Sequence, residues 1–136
     1  MTQSLQSVDI LVAHESVALR RLLASTLSDA GYVVAEAGHL EAGFDALYAG
    51  KPQLAIINAR MPNRTALKLA LAAKAQGAKL LVIDDKVSPH ETSLSIGAFT
   101  DAQFVNRRNA RGRMVEAAAA LIGPAGSQSQ ASAAAA

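Results

Sequence analysis

The stretch Leu54-Ala55-Ile56-Ile57-Asn58, followed by Ala59-Arg60-Met61-Pro62, determines how this sequence is expected to fold. Its four consecutive apolar residues predict a short strand that is buried on both faces. Such strands are typical of parallel sheets that are covered by helices on both sides. In an open parallel sheet the ligand crevice lies beyond the carboxyl ends of the strands, so we expect Asn58 to lie at the functional site.

Length and composition predict one globular domain. A chain of 136 residues that are 51% hydrophobic can fill a single core. The apolar run at 117–122 is far shorter than the roughly 20 residues that a bilayer requires. Residues 1–8 lack the pattern of a secretion signal, so we expect a flexible N-terminus and a cytoplasmic protein. Because the sequence contains no cysteine, disulfides, thiolate nucleophiles and cysteine-based zinc sites are excluded.

Strand and helix patterns alternate along the chain. We predict strands at residues 9–13, 33–37, 54–58, 79–83 and 104–105. We predict helices at about 16–31, 40–49, 66–76, 88–97 and 110–122. This alternation favours a doubly wound α/β domain over residues 9–123, because parallel strands need helical crossovers. Residues 124–136 are rich in Ala, Ser and Gln, and we expect a disordered tail there.

Several helix ends carry specific signals. Ser16 and Asn109 are expected to cap the first and last helices, and Gly31 to take a left-handed conformation after the first. The sequence Ser88-Pro89-His90-Glu91 combines a cap, a first-turn proline and a glutamate that favour a helix start. Apolar positions at helical spacing predict the buried faces of the first two helices: Leu19, Leu22, Leu23 and Leu27 in the first, and Ala42, Leu47 and either Phe44 or Tyr48 in the second.

Short motifs along residues 9–122 carry a family resemblance. They are Ile10-Leu11-Val12-Ala13 before Ser16, Arg20-Arg21-Leu22-Leu23, Ala30-Gly31-Tyr32-Val33-Val34 with Glu36-Ala37, the Leu54–Asn58 strand with Met61-Pro62, and Ile96-Gly97-Ala98. As a set, they resemble the CheY-like receiver domain of bacterial response regulators, the signalling proteins of two-component systems. The resemblance implies a flavodoxin-like five-stranded sheet of order 2-1-3-4-5 with five helices, and a crevice between the first and third strands.

The residues that receiver domains use for phosphotransfer are replaced in this sequence. The resemblance aligns His14 and Glu15 with the acidic pair that holds Mg²⁺, Asn58 with the phosphate-accepting aspartate, Asp84 with the hydroxyl residue, Asn106 with the lysine and Gln103 with the aromatic switch residue. The lysine alignment requires a two-residue insertion around 99–102. An amide is not nucleophilic and cannot form an acyl phosphate. We therefore expect a pseudo-receiver that is not an enzyme and has no Mg²⁺ cofactor.

A second interpretation of the same edge is a rebuilt metal site. His14, Glu15, Asp84 and Asp85 would lie at one end of the predicted sheet. His14 and Glu15 are sequence neighbours, however, and one glutamate from the usual three acids is a poor donor set for a hard cation. We therefore favour a solvated polar rim without a metal.

Four of the eight arginines, Arg107, Arg108, Arg111 and Arg113, fall within seven residues, and we call them the arginine segment. They lie where the last predicted helix begins, a place where the helix dipole disfavours cations by about 0.3–1 kcal/mol each unless an anion is bound. Arginine binds phosphates with two parallel hydrogen bonds and stacks on planar rings. A solvated basic loop explains a charge run equally simply, but these features favour an anion site.

The anion predicted for this segment is a guanine dinucleotide. Arginine pairs with O6 and N7 of guanine and stacks on the base. A subclass of CheY-like proteins binds cyclic di-GMP through an arginine-rich segment near the fifth strand and last helix, and residues 106–116 resemble such a segment. Two alternatives stay open: a pseudo-receiver that only docks a partner protein, and a weak nucleic-acid contact. The net charge of only +2 argues against the latter.

The expected function is a phosphorylation-independent signalling adaptor that binds cyclic di-GMP through the arginine segment and Asn106. Its partner protein would contact the last two helices and the fifth strand, which receiver folds commonly use. His39 and His90 are isolated and are interpreted as surface or helix-start residues. Arg60 and Arg64 flank the loop after Asn58, where they would add positive potential to the crevice or simply be solvated.

Overall fold

In the computed structural model, residues 7–84 and 102–125 are described, and they form a parallel sheet with helices on both faces. The strands are β1 (Ile10–Ala13), β2 (Val34–Ala37), β3 (Leu54–Asn58), β4 (Lys79–Asp84) and β5 (Gln103–Asn106). The helices are α1 (Val17–Asp29), α2 (Leu40–Gly50), α3 (Thr65–Ala75) and α4 (Ala110–Ile122), with a 3-10 turn at Arg107–Asn109.

The strand order is β2-β1-β3-β4-β5, and every neighbouring pair is parallel. This confirms the predicted flavodoxin-like topology. Four helices occur in the described residues where five were predicted over the whole chain. The predicted helix at 88–97 and most of the predicted terminal segments, residues 1–6 and 126–136, lie outside the described residues.

Two apolar layers cover the sheet. Alternating residues of a strand point to opposite faces, so Ala55 and Ile57 of β3 pack with α2 and α3 while Leu54 and Ile56 pack with α1 and α4. All five residues of β3 are buried. The central position of β3 in the sheet therefore agrees with its continuous apolar sequence.

The capping residues follow the sequence prediction at one helix and differ at another. The Ser16 hydroxyl accepts a hydrogen bond from the Leu19 N–H at 3.3 Å, as predicted, and Gly31 has a φ of 106° two residues after the end of α1. The prediction that Asn109 caps the last helix is wrong, because its backbone is already helical and its side chain makes no capping bond. Instead, Oδ1 of Asn106 accepts from the Arg108 N–H at 2.8 Å.

Some apolar side chains at the edges of the predicted buried stripes are exposed. In α2, Leu47 is buried and Phe44 packs partly against the core. Tyr48 is 61% exposed, and its ring centroid lies 6.1 Å from that of Phe44. In α1, Leu23 and Leu27 are buried while Leu19 is 39% exposed. Helical spacing predicts the direction of a side chain, but how far the sheet extends beneath it decides burial.

The glycines of α2 and α4 have opposite surroundings. At Gly43 a Cβ atom would lie 2.5 Å from Cδ2 of Leu69, because α2 and α3 approach each other closely there. At Gly112, near the start of α4, a Cβ atom would meet nothing within 4 Å.

None of the helices within 7–84 and 102–125 is long and apolar enough to cross a membrane.

Candidate functional site

Polar side chains converge at the carboxyl ends of four strands, as the sequence predicts. His14 and Glu15 follow β1, Asn58 ends β3, Asp84 ends β4 and Asn106 ends β5. In the β4–β5 ladder Asp84 lies opposite Asn106. Because all the strands run in the same direction, their final residues meet at one edge of the sheet, and we call the space between them the crevice.

Asn58 is buried completely and is bonded to Glu15. Its Nδ2 donates a hydrogen bond to Oε1 of Glu15 at 2.8 Å. Its Oδ1 is buried and has no hydrogen-bond partner. Rotating the amide would place its oxygen against the carboxylate, so Glu15 holds Asn58 in a single orientation. In receiver domains the resemblance places a phosphate-accepting aspartate at this position. Here the position holds an amide that donates a hydrogen bond to Glu15.

His14 is buried and accepts a hydrogen bond. Its Nδ1 accepts from the Ser16 N–H at 3.0 Å and lies 3.5 Å from Oε1 of Glu15. Burial lowers the pKa of His14 and outweighs the opposing effect of Glu15, while Arg107 and Arg20 lower it further. The imidazole is therefore neutral near pH 7, and its contact with Glu15 is not an ion pair. The neutral ring acts as an acceptor for the loop that leads into α1.

The pKa of Glu15 is also lowered. Burial by itself would raise this pKa, but the hydrogen bond from Asn58 and the nearby His14 and Arg107 act in the opposite direction and together outweigh burial. Glu15 is therefore ionised near pH 7, as its role of accepting from the Asn58 amide requires.

Asp84 is the second carboxylate of the crevice. Its side chain is buried, and Oδ1 lies 3.7 Å from Nε of Arg60, whose side chain is 55% exposed. Arg60 therefore lies beside the crevice, whereas Arg64 occupies the position before α3 in a left-handed conformation with φ 59°. A buried carboxylate needs a compensating charge, and Arg60 supplies part of it.

The crevice is a poor fit for Mg²⁺, the ion that the fold family implies. Mg²⁺ requires a near-octahedral set of oxygen ligands. Here Oε1 of Glu15 accepts from Asn58, Asp84 lies beside Arg60, and Nδ1 of His14 accepts from Ser16. Among residues 7–84 and 102–125, no three His, Cys, Asp or Glu side chains are arranged to hold a metal ion. Asp85, the fourth residue of the rebuilt metal site considered above, lies outside the described residues.

The arginine segment spans the 3-10 turn and the first turn of α4. All four side chains are exposed. Arg107 acts electrostatically on His14 and Glu15, so it lies toward the crevice. Residues two positions apart on an α-helix point about 200° apart, so Arg111 and Arg113 lie on different flanks of α4. The structure thus arranges the four arginines along a surface strip and does not gather them at a single point.

A groove of about 390 Å³ lies between α4 and the edge strand β5, and we call it the α4–β5 groove. Val105, Ala117 and Leu121 supply apolar surface, and Arg113 and Glu116 are polar residues of its lining. Gln103 also lines the groove. The sequence interpretation gave no ligand role to Glu116 or Gln103. The spacing Arg113-x-x-Glu116 places both charges on one face of α4 and is the signal that was missed.

Comparison with solved structures reveals receiver domains. The chemotaxis protein CheY4 of Vibrio cholerae is 19% identical with a TM-score of 0.72, over 85% of this chain and 99% of that one. A CheY-like receiver domain protein from Methanospirillum hungatei is 18% identical with a TM-score of 0.72, over 85% and 94%. A response regulator receiver protein from Sinorhizobium medicae is 19% identical with a TM-score of 0.70, over 86% and 95%.

These similarities are structural. No protein-family model matches the sequence, and a search of curated proteins gave no match. At identities below 25%, the comparisons show that the chain has the receiver fold and leave its activity to be argued from its own residues.

Proposed function

We propose that this protein is a non-catalytic signalling adaptor on the receiver fold that works without phosphorylation. The fold is that of a chemotaxis protein and of response regulator receivers, which supports a role in signal transduction. The observation that carries the proposal is Asn58, a buried amide bonded to Glu15 at the end of the central strand. An amide at this position has no nucleophilic oxygen to accept a phosphoryl group.

The charges around Asn58 also oppose phosphotransfer. A phosphoryl group of charge about −2 in the crevice would lie near the carboxylates of Glu15 and Asp84. Two such charges about 5 Å apart repel by several kcal/mol at the dielectric of a protein surface. Arg60 already compensates Asp84, and the residue at the lysine position is Asn106.

The proposed input is cyclic di-GMP, bound by Arg107, Arg108, Arg111 and Arg113 with Asn106. The exposure of all four guanidinium groups supports this, as does the start of α4, which has no acidic residue in its first turn and no side-chain cap. The Arg108 N–H already donates to Asn106 and the Ala110 N–H to the Arg107 carbonyl, so the guanidinium groups would supply the anion contacts. The long run of basic groups suits a ligand with two separate phosphates.

The proposed output is a contact with a partner protein through β5, α4 and the helix predicted at 88–97, which lies outside the described residues. Arg107 supplies a route from input to output, because it acts on His14 and Glu15 in the crevice while belonging to the arginine segment. A bound anion that attracts Arg107 would weaken this interaction with the crevice. Ligand binding and crevice geometry would then be thermodynamically linked.

Calorimetry with three ligands tests the proposal. We expect saturable binding of cyclic di-GMP to the wild-type protein and no comparable binding of GTP or duplex DNA. In a variant with Arg108→Lys and Arg111→Lys, the charge is kept but the paired hydrogen bonds are lost, so affinity for cyclic di-GMP should fall by about tenfold or more. A matched control is Arg21→Lys with Arg64→Lys, two exposed arginines outside the segment.

Other results would identify the alternatives. A nucleic-acid contact through four arginines predicts DNA binding with a log-log salt slope of about −3.6 that the lysine substitutions leave unchanged. A module that only docks a protein would bind none of the three ligands, and the interaction of Arg107 with Glu15 favours this second candidate by giving the arginine an internal role.

Incubation with acetyl phosphate and Mg²⁺ should give no phosphoryl adduct by mass spectrometry, and an adduct would contradict the proposal.

A further inference from the structure

The α4–β5 groove has the properties of a small-molecule subsite. Its volume of about 390 Å³ lies in the usual range for ligand pockets. Its surface combines the side chains of Val105, Ala117 and Leu121 with the charged Arg113 and Glu116. Pockets that bind planar heterocycles are mostly apolar and carry a few polar groups that fix the orientation of the ligand.

The two charged residues lie on the same face of α4. Arg113 and Glu116 are three positions apart, so their side chains are neighbours on the helix surface. Within the described part of the chain, Arg20 pairs with Glu36 and Arg60 with Asp84, and neutral His14 lies beside Glu15. None of these contacts uses Arg113 or Glu116. Both charges are therefore available to a ligand in the groove.

A carboxylate at this place is informative because it opposes the attraction of phosphate. Glu116 is the acidic residue that follows the arginine segment within α4. If the segment served only to attract negative charge, a glutamate one turn away would reduce its affinity. A carboxylate can instead accept two parallel hydrogen bonds, and the N1–H and N2–H₂ groups of guanine are a pair of adjacent donors. Adenine has no such pair of donors on that edge.

We infer that the α4–β5 groove binds one guanine base of the nucleotide, with Glu116 accepting from N1–H and N2–H₂ and Arg113 donating to the other edge of the base. This inference rests on the proposed function, because it names the subsite and the base specificity of the same ligand. Arg108 and Arg111 are left to bind the phosphates. From Ala110 to Glu116 the helix advances about 9 Å along its axis, so the base lies one to two turns from the phosphates.

Glu116→Gln tests the inference through the sign of its effect. The substitution removes a negative charge beside an anion site, so general electrostatics predicts an unchanged or higher affinity for cyclic di-GMP. If Glu116 binds guanine, the amide cannot accept both hydrogen bonds, and affinity should fall by about tenfold. The ratio of the affinity for cyclic di-GMP to the affinity for cyclic di-AMP should fall by a similar factor. Glu41→Gln, which removes the same charge from the exposed surface of α2, is the matched control.

The results separate this inference from the proposed function. Calorimetry is carried out on the full chain with both dinucleotides, and melting temperatures confirm that each variant is folded. Weaker cyclic di-GMP binding by Glu116→Gln, with Glu41→Gln unchanged, supports the guanine subsite. Unchanged or tighter binding by Glu116→Gln would overturn the subsite while leaving the ligand in place. No binding by the wild-type protein would overturn both.

Discussion

At position 58 a buried amide donates to Glu15, and a carboxylate in its place would face Glu15 with a second negative charge. We expect Asn58→Asp to reduce the free energy of unfolding at pH 7 by about 2 kcal/mol or more. Because the new carboxyl group has a raised pKa, the loss should shrink as the pH falls toward about 5. Urea denaturation at both pH values measures this.

The Glu15→Gln substitution supplies a matched control for that experiment. In the double variant a neutral Gln can donate to the new carboxylate, so stability at pH 7 should recover relative to Asn58→Asp alone. An Asn58→Asp protein as stable as the wild type at pH 7 would contradict the assigned contact between Asn58 and Glu15.

His14 should make stability depend on pH. Its pKa is lowered from the ordinary histidine value of 6.5, chiefly by burial, so the unfolded chain binds more protons than the folded protein just below that pH. The contribution of His14 to the free energy of unfolding is therefore present in full above pH 6.5. It declines as the pH falls from 6.5 through the lower pKa of His14 in the folded protein. His14→Asn keeps an acceptor that can reach the Ser16 N–H, as in an Asx turn, and should flatten the decline.

Denaturation midpoints measured from about pH 7.5 to about pH 5 test the role of His14. Glu15, whose lowered pKa affects stability only below the ordinary glutamate value of 4.5, contributes outside this window. A His14→Asn protein with the same slope as the wild type would show that another group titrates.

At the scale of helices, the same substitution should have opposite effects at two glycines. Alanine is the better helix former by about 1 kcal/mol, and at Gly112 nothing within 4 Å opposes it. Gly112→Ala should raise stability by about 0.5 kcal/mol, since the residue is near the helix end. Gly43→Ala should lower stability by about 1–2 kcal/mol, because its methyl group would displace the buried Leu69.

Thermal unfolding of the two alanine variants gives the comparison. Each variant serves as the control for the other, because the change in chain entropy is the same in both. Equal shifts of Tm in the same direction for both variants would show that the close approach of α2 to α3 does not affect stability.

The helices and strands of this chain were largely predictable because their signals are local. The continuous apolar sequence of β3 gives its bounds directly, and Ser16 caps α1 as its hydroxyl predicts. Asn109 was misassigned because a 3-10 turn precedes α4, and no simple pattern distinguishes the two amides at 106 and 109. Tyr48 and Leu19 are exposed for the same reason. Each lies at the edge of the apolar face of its helix, where burial depends on tertiary packing.

The sequence predicted which residues belong to the candidate site, but it did not predict which of them contact each other. That His14, Glu15, Asn58 and Asp84 share one edge follows from strand order alone. The bond from Asn58 to Glu15 and the pairing of Asp84 with Arg60 depend on side-chain rotamers, which the sequence does not encode locally. The groove beside Glu116 likewise needs the packing of α4 against β5 to be known.

For the whole molecule, ligand binding should appear as thermal stabilisation. At a cyclic di-GMP concentration of about 100 times Kd, linkage predicts a gain of about 2.7 kcal/mol, or a rise in Tm of several degrees. The variant with Arg108→Lys and Arg111→Lys should show a smaller rise at the same concentration. Differential scanning fluorimetry measures both, and an equal rise in the two proteins would place the ligand elsewhere.

Mg²⁺ with acetyl phosphate is the corresponding negative control. The crevice is a poor fit for the ion, so we expect no change in Tm from this mixture or from a chelator. A rise with Mg²⁺ alone would show that the crevice rearranges to bind it.

The orientation of the Asn58 amide also bears on how freely this chain can change its chemistry over evolutionary time. A single mutation to aspartate would meet Glu15, would lack a lysine at position 106 and would still face Asp84. Each substitution that an aspartyl phosphate site would require is thus unfavourable until the others have been made. Substitutions on the exposed surface of α4 meet no such barrier, whereas a phosphate-accepting site at the sheet edge would need several coordinated changes.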